Sequence, residues 1–346
     1  MEDELGRLGL GIIGAGMAAK PHALALQSLS DVIEVRGVFR RDAAERRAFC
    51  LQYGFPQAES VDALLADPGV EAVLVLTPPN ARETIVLKLA QSGKHVLMEK
   101  PVERTTAAAE RIIGACETAG VTLGIMFQHR FRAASLALAA RIAEGEFGRL
   151  HAVHLTVPWW RPQAGYYDKP GRGTFAMDGG GVLITQAIHS LDLMLSLCGP
   201  VQDVVALAAT TGLHQMETED FVSAGLRFAN GAVGSLMATT ANYPGGPEVL
   251  TLNFDRASAT LAAGTLKIAW MDGQTEELGE SSEGGGGADP MAFPFDWHRS
   301  QIADFAAAIR EGRQPLSSGR TALRVHRLID ALMASAHEGR RIEVAQ

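Results

Sequence analysis

The sequence predicts an α/β domain followed by an α+β domain, with a doubly wound parallel sheet in the first and an open, mainly antiparallel sheet in the second. Up to about residue 127, short strands that are apolar on both faces alternate with helical segments, as in a parallel sheet covered on both sides. From about residue 150, strands follow one another through turns. The chain has 346 residues, enough for two separate cores. We expect residues 1–127 to form the first domain and 128–346 the second.

The elements of the first domain follow from its apolar runs. The predicted strands are 10–13, 33–39, 72–76, 95–98 and 121–126, and two helices lie near 80–92 and 105–119. In the second domain the predicted strands are 150–157, 203–210, 220–228, 232–240, 248–255 and 258–270.

Turns and closing helices complete the second domain. Asn230-Gly231 predicts a tight hairpin turn in which both residues have positive φ. Residues 272–290 are rich in Glu and then in Gly, which predicts a mobile surface loop. Two amphipathic helices, near 297–311 and 319–338, end the chain.

The first strand runs into a glycine-rich turn that is typical of a dinucleotide site. Gly14, Gly16 and Ala19 follow the pattern G-x-G-x-x-(G/A) at the start of a helix. Gly14 permits the tight turn, Gly16 lets the backbone approach a pyrophosphate, and the small Ala19 lets helix and strand pack closely. We expect Gly14, Gly16, Met17 and Ala18 to bind the cofactor at the helix N-terminus of a Rossmann domain.

The end of the second strand indicates which dinucleotide binds. An NAD site places Asp or Glu there, roughly 20 residues after the glycines, to bind the ribose 2′-hydroxyl. Here Arg40 and Arg41 occupy that place. A guanidinium can hold a 2′-phosphate with two hydrogen bonds, whereas a carboxylate would repel it. The predicted cofactor is therefore NADP, with NAD as the alternative.

Two further segments leave strand ends where ligands bind in an open parallel sheet. Thr77, Pro78 and Asn80 follow one strand, and Glu99 and Lys100 follow the next. A lysine there can donate to a reacting oxygen or to a ribose hydroxyl, and Glu99 can set its position and charge. An isolated lysine in such a loop would be merely solvated; its place after a nucleotide-domain strand favours the functional interpretation.

A third segment places polar residues on an otherwise apolar helix. Glycines 179–181 precede the helix and permit close approach of a ligand, while Thr185, His189, Asp192 and Ser196 are spaced to form one stripe. A helix apolar on nearly all sides is buried, so the stripe must be hydrogen-bonded. His189 is either a satisfied structural histidine or a proton shuttle that Asp192 orients. The register of the stripe favours the second.

Other candidates lie near these segments. Trp160, Tyr167 and Arg172 belong either to the core or to the wall of a sugar pocket. Arg130 follows the last Rossmann strand and either packs the two domains together or contacts the substrate. His151 and His154 are three residues apart in a predicted strand, so they should point to opposite faces and not share a metal. We predict no metal site.

Composition excludes several classes of protein. The net charge of −8 without a basic run argues against a nucleic-acid partner, and no stretch approaches the ~20 apolar residues of a membrane span. The three cysteines are far apart and the first residues have no apolar leader, so we expect a cytoplasmic protein without disulfides.

Together these motifs resemble the glucose–fructose oxidoreductase, inositol dehydrogenase and MocA family, over nearly the whole chain. The resemblance rests on the glycine turn, on 77–80, on 93–101, which contains Glu-Lys-Pro, on 179–192 and on the closing pattern 305–309. It implies a second domain for substrate binding and oligomerisation, closing helices that pack back on the first domain, and a homodimer or homotetramer. It also implies hydride transfer between nicotinamide and the hydroxyl carbon of a sugar or polyol, with Lys100 polarising the oxygen and His189 moving the proton.

The chain departs from the family pattern at two positions. Thr185 stands where inositol-type members often have Asp, and a hydroxyl can relay or orient but cannot carry charge. Arg82 stands where many members have His, a change we expect to alter only the nucleotide-side surface. Two alternative functions remain: reduction of a C=N or C=C bond in a non-carbohydrate substrate, and non-catalytic nucleotide sensing.

Overall fold

A computed structural model describes residues 6–16, 18–279 and 294–346 of the chain. The chain divides into two compact units. The first unit contains the residues up to Gln128 together with Pro294–Leu323, and the second contains those of His129–Phe293 that are described and Arg324–Gln346. The predicted fold class is confirmed in both units.

The first unit is built on a parallel sheet with the strand order β2-β1-β3-β4-β5. Its strands are β1 (Leu8–Ile13), β2 (Ile33–Phe39), β3 (Ala72–Val75), β4 (His95–Met98) and β5 (Leu123–Ile125). Its helices are α1 (Ala19–Ser28), α2 (Ala43–Tyr53), α3 (Val61–Ala66), α4 (Arg82–Gln91), α5 (Thr106–Thr118) and α8 (Asp296–Glu311). Strands β1 and β3 are buried along their whole length, as predicted for this kind of sheet, and so is β4 after its first residue, whereas the edge strand β2 exposes Arg36.

Helix α8 comes from the end of the chain but belongs to the core of the first unit. Ile302 and Phe305 lie in the same buried cluster as Leu10 and Leu74 of the sheet. The side-chain amide of Gln301 donates to the carbonyl of Ile125 at 2.6 Å. A distant segment can therefore supply side chains to the edge of the sheet where ligands bind.

The second unit contains a nine-stranded sheet with the order β13-β12-β11-β10-β6-β9-β8-β7-β14. Its strands are β6 (Leu150–Pro158), β7 (Val201–Ala209), β8 (Phe221–Phe228), β9 (Val233–Thr239), β10 (Val249–Phe254), β11 (Ala257–Ala262), β12 (Thr265–Trp270), β13 (Thr275–Leu278) and β14 (Ile342–Glu343). The β6–β9 pair is parallel and the other pairs are antiparallel. Its helices are α6 (Ala133–Ala143) and α7 (Ile188–Cys198), and α9 (Gly319–Glu338) enters it from the first unit.

Two predictions about strands are corrected. The predicted single strand 258–270 is a hairpin, because Ala263 and Gly264 form a two-residue turn with φ of 48° and 83°. Alanine rarely adopts positive φ, so the sequence did not predict a turn at this position. Part of the predicted loop 272–290 is the edge strand β13, while residues 280–290 lie outside the described residues.

The hairpin at Asn230-Gly231 is confirmed, but its turn is of another type. Gly231 alone of the two has positive φ, at 89°. The side-chain oxygen of Asn230 accepts from the amide of Ala232 at 3.1 Å. Asn thus acts by hydrogen bonding to the backbone rather than by adopting a left-handed conformation.

His151 and His154, predicted to point to opposite faces, are both exposed. A bulge at His151, where the pairing of β6 with β10 shifts register, breaks the alternation of faces. His151 contacts Asp255 at 2.6 Å and His154 contacts Ser235 at 2.9 Å.

Cys50, Cys116 and Cys198 are all buried free thiols. Within the ranges the structure describes, every helix is either too short or too polar to cross a membrane.

Candidate active site

The glycine turn of the first unit leaves room for a ligand. Gly14 has a φ of 98°, and a Cβ there would lie 2.9 Å from the carbonyl carbon of Leu76. Gly16 is exposed, with open space where its Cβ would be. Ala18 directly precedes α1, whose first turn has no acidic residue. Met17 lies outside the described residues. The turn fits a pyrophosphate at the N-terminus of α1.

Arg40 lies beside this turn. Its guanidinium donates to the carbonyl of Ala15 and forms an ion pair with Glu45 in the first turn of α2. Arg41 is exposed next to it. Arg40, the residue predicted to bind a 2′-phosphate, thus lies beside the glycine turn. Glu45 already occupies part of the hydrogen-bonding capacity of its guanidinium.

The expectation that Arg82 alters only the nucleotide-side surface is corrected, because this residue is buried. The side chain is buried, with 3% of the residue exposed, and it donates to the carbonyls of Thr77 at 2.9 Å, Glu99 at 2.5 Å and Pro101. Burial lowers the pKa of Arg82 to about 10, so the group stays charged at neutral pH. Arg82 therefore ties the loop after β3 to the loop after β4.

The predicted residues of these two loops are accessible to different degrees. Thr77 is half-buried, whereas Pro78 and Asn80 are exposed around the 3₁₀ turn Pro79–Ala81. Lys100 is half-buried, and its backbone N–H donates to Oε2 of Glu99 at 3.1 Å.

Glu99 lies near two histidines that the sequence analysis missed. His22 of α1 contacts Oε1 of Glu99 through Nε2 at 2.7 Å, and the ring of His298 of α8 lies edge-on to that of His22 at 4.7 Å. Both histidines are buried, at 1% and 2% exposure. Burial alone would raise the pKa of Glu99, but His22, His298 and Lys100 outweigh it and lower that pKa well below its ordinary value.

These three side chains also have donor atoms within 4.8 Å of one another, the spacing of a possible metal site. The hydrogen bond between His22 and Glu99 already engages Nε2 of His22 and Oε1 of Glu99. The cationic side chains of Arg82 and Lys100 both favour the charged form of Glu99, and they would disfavour an added cation. The cluster therefore fits a buried hydrogen-bonding role, and the prediction of no metal site is retained as a prediction.

Acid should destabilise the first unit through His298. Burial, and then the charge of His22, lower the pKa of His298 to about 3, whereas an unfolded histidine titrates near 6.5. Since the unfolded state takes up the proton first, this stability is complete above about pH 6.5 and is lost as pH falls toward 3, by up to about 1.4 kcal/mol per pH unit. We measure the free energy of unfolding with urea at pH 7.5, 6 and 5. It should fall less with falling pH in His298→Gln than in the unchanged protein. Equal declines would contradict the prediction.

In the second unit, the apolar helix is buried as predicted, but the polar stripe along it is interrupted. Leu183–Ala187 forms a π-helical turn before α7 begins. Thr185 donates to the carbonyl of Gly181 at 2.6 Å and also contacts Gln186. Ser196 is exposed and donates to the carbonyl of Leu193, so the buried part of the stripe ends at Asp192.

Within the glycine run, Gly181 has a packing role that the sequence analysis did not predict. A Cβ at residue 181 would lie 1.8 Å from the backbone oxygen of Glu219. The carboxylate of Glu219 accepts from the amides of Gly181 at 2.9 Å and Leu183 at 3.2 Å. Gly181 thus permits close approach of another backbone segment, and Glu219 caps the helical segment that carries His189.

Two ionisable residues of α7, His189 and Asp192, contact residues that follow β5. The rings of His189 and His129 stack with centroids 4.9 Å apart. Arg130 donates two hydrogen bonds of 2.5 Å to Asp192, which is fully buried. Burial raises the pKa of Asp192 although Arg130 opposes this. Asp192 is therefore engaged by an arginine, a partner that the spacing along the helix did not suggest.

The aromatic candidates surround a buried histidine. The rings of Trp160 and Tyr167 lie 5.8 Å and 4.7 Å from that of His214, and the hydroxyl of Tyr167 contacts that of Thr240 at 2.8 Å. Tyr167 is buried, which raises its pKa, while Trp160 is half-buried.

Arg172, the other residue predicted here, is half-buried. Its guanidinium lies 5.2 Å from the ring centre of Tyr166 and 3.5 Å from Asp178. The segment therefore combines a packed anchor, Tyr167, with the more accessible Trp160 and Arg172.

Comparison with known proteins matches both units to one family. The GFO/IDH/MocA oxidoreductase family with an NAD-binding Rossmann fold matches residues 8–127, and the GFO/IDH/MocA C-terminal domain matches residues 135–260. A 1,5-anhydro-D-fructose reductase of Ensifer adhaerens is 31% identical over 64% of this chain and 66% of that protein. A levoglucosan dehydrogenase of Pseudarthrobacter phenanthrenivorans is 26% identical over 98% of each chain.

A solved structure is similar over the whole length. The WlbA dehydrogenase of Bordetella pertussis, in complex with NADH and UDP-GlcNAcA, has a TM-score of 0.82 and 27% identity, covering 98% of this chain and 99% of that one.

Proposed function

Because this chain belongs to the GFO/IDH/MocA family of oxidoreductases, we propose that it transfers hydride between a nicotinamide dinucleotide and the CH–OH carbon of a sugar or polyol. The observation that supports this most is the likeness to WlbA, whose structure contains NADH and a nucleotide sugar, over 98% of this chain. The reductase and the levoglucosan dehydrogenase among its relatives are named for sugar derivatives as well.

The residues of this chain fit that chemistry. A nicotinamide dinucleotide bound at the Gly14 turn would accept or supply the hydride. Lys100 donates a hydrogen bond to the substrate oxygen and stabilises the negative charge that develops there. His189 takes the hydroxyl proton during oxidation and returns it during reduction. Thr185 binds or orients, since its hydroxyl carries no charge.

The substrate contacts are proposed for the side chains around the aromatic segment. Trp160 and Arg172 would contact the sugar, and Tyr167 would anchor their segment through Thr240. The Arg130–Asp192 pair would hold α7 in place beside the substrate. Aromatic faces and planar donors suit a ring with several hydroxyls.

The test is a substrate screen with purified protein. Aldoses, cyclitols and anhydrosugars are supplied with NADP⁺ or NAD⁺, and cyclic imines and enones with NADPH or NADH, while absorbance at the nicotinamide band is followed. We expect turnover with members of the first set. Turnover with imines or enones alone would replace this function with reduction of C=N or C=C bonds. Tight cofactor binding without turnover of either set would favour a nucleotide sensor.

We further propose a preference for NADP(H), which depends on Arg40 and Arg41. Arg40→Asp should weaken NADPH relative to NADH by about 1–3 kcal/mol, since it removes a charge-assisted hydrogen bond and adds a repelling carboxylate. Calorimetric titration with both cofactors measures this. Lys88→Asp, an equal charge change at an exposed site of α4, is the control. Equal affinities of the unchanged protein for the two cofactors would contradict the proposal.

The open sheet suggests self-association. Val205 and Leu207 of β7 and Val233 of β9 are exposed on the nine-stranded sheet, with β8 between these two strands. A sheet that leaves apolar side chains exposed can bury them in a closed symmetric assembly, so we propose a homodimer or homotetramer. Light scattering after size-exclusion chromatography measures the mass, and a monomer would overturn the proposal.

A further inference from the structure

The segment that follows β5 contains residues to which the proposed reaction assigns no role. His129 and Arg132 are both buried, and Arg132 directly precedes α6. His129 stacks on His189 with an angle of 27° between the ring planes. Glu248, just before β10, completes the group. All four residues belong to the second unit.

Hydrogen bonding defines the protonation state of His129. A guanidinium can only donate hydrogen bonds. Nη2 of Arg132 lies 2.8 Å from Nε2 of His129, so that nitrogen must accept and carries no proton. The ring proton is then on Nδ1, which lies 3.9 Å from Oε1 of Glu248. His129 is therefore a neutral imidazole of one fixed tautomer.

Glu248 neutralises the charge that fixes this tautomer. Nη1 of Arg132 donates to Oε1 of Glu248 at 2.6 Å, and both side chains are buried. In a buried environment an uncompensated guanidinium would disfavour a second cation nearby. The Arg132–Glu248 pair avoids that repulsion, just as the Arg130–Asp192 pair does on α7.

We propose that His129 is a positioning residue for His189: as a neutral ring locked by Arg132 and Glu248, it fixes the plane of His189 and stabilises its protonated form. This rests on the proposed function, in which His189 must hold a proton during each turnover. Stacking restricts rotation of the His189 ring, and a neutral aromatic face attracts a cation. A protonated His129 would instead repel an imidazolium, so the tautomer matters as much as the contact.

Three variants test the proposal. His129→Phe keeps a neutral aromatic face, His129→Leu removes it, and Glu248→Gln leaves the charge of Arg132 uncompensated. We expect His129→Leu to lower kcat roughly tenfold or more with little change in KM. We expect His129→Phe to retain most of kcat. The acidic limb of the kcat–pH profile should move to lower pH in His129→Leu and in Glu248→Gln. It should not move to higher pH in any of the three variants.

A second readout is independent of catalysis. Nitrogen-15 spectra of histidine-labelled protein, with the His189 signal identified through His189→Gln, report the proton on His189 directly. The midpoint of its titration should fall by about half a pH unit in His129→Leu and in Glu248→Gln, and should stay near the original in His129→Phe. His154→Phe, at an exposed site, is the control.

The outcomes separate the two proposals. If His129→Leu changes neither kcat nor the titration, or if His129→Phe is as damaging as His129→Leu, the positioning role is overturned. If the protein turns over no substrate but the titration of His189 shifts as expected, the coupling stands and the proposed function fails.

Discussion

Replacing His189 with glutamine is expected to lower kcat by about 10²–10⁴-fold while the affinity for NADPH is retained, since general acid–base catalysis contributes that much. Glutamine keeps the size and polarity of the site but cannot exchange a proton near neutral pH. Single-turnover measurements with the substrate found in the screen give the rate of the chemical step. Fluorescence titration with NADPH gives the affinity.

Lys100→Met should have an effect of similar kind, about 10²–10³-fold in kcat, because it removes a donor to the developing oxyanion. If the two residues act in one step, the double variant should be far less impaired than the product of the single effects. His154→Gln is the matched control for His189, since His154 is an exposed histidine of the same unit. Normal turnover of His189→Gln would remove His189 from the mechanism.

The sequence predicted these two residues because each belongs to a strong local pattern. Lys100 follows a buried strand of a parallel sheet, and the side of the sheet on which a strand ends is a property of the fold. His189 interrupts a helix that is apolar on nearly every side, and a polar residue there demands an explanation. Both patterns are local, since each is contained in a window of about 11–18 residues, in which strands and amphipathic helices can be recognised.

The partners of these residues could not be predicted, because they come from distant parts of the chain. His22 and His298 are more than 270 residues apart, yet both surround Glu99. Neither has a local pattern that distinguishes it from a core histidine. The burial of Arg82 was not predicted for a related reason. An arginine in a first helical turn is usually solvated, and the three carbonyls to which Arg82 donates lie in two separate loops.

Backbone geometry limited the prediction in another way. The alanine at 263 adopts a φ of 48° because β11 and β12 must reverse within two residues, so tertiary pairing overrides a local preference. The π-helical turn Leu183–Ala187 similarly changes which residues share a face before α7, although the apolar pattern continues through it.

Gly181→Ala should destabilise the protein by about 3–5 kcal/mol, at the upper end of single substitutions. The new Cβ would lie 1.8 Å from the backbone oxygen of Glu219 and 2.7 Å from its carboxyl carbon, so a backbone segment must move. That movement also disrupts the hydrogen bonds of Glu219 with Gly181 and Leu183. A melting temperature lower by on the order of 10 °C, measured by calorimetry, is the expected result.

The neighbouring glycine provides the control that makes this result specific. A Cβ at Gly180 would lie 3.0 Å from the Cγ2 methyl of Ile184 and 3.8 Å from its Cβ, so it would meet one side chain and no backbone atom. Gly180→Ala should therefore cost less than about 1 kcal/mol. If the two variants had the same melting temperature, close packing at Gly181 would not explain why a glycine is needed there. If Gly181→Ala alone melts early, the glycine positions the helical segment of His189 through Glu219, and its effect on turnover follows from that displacement.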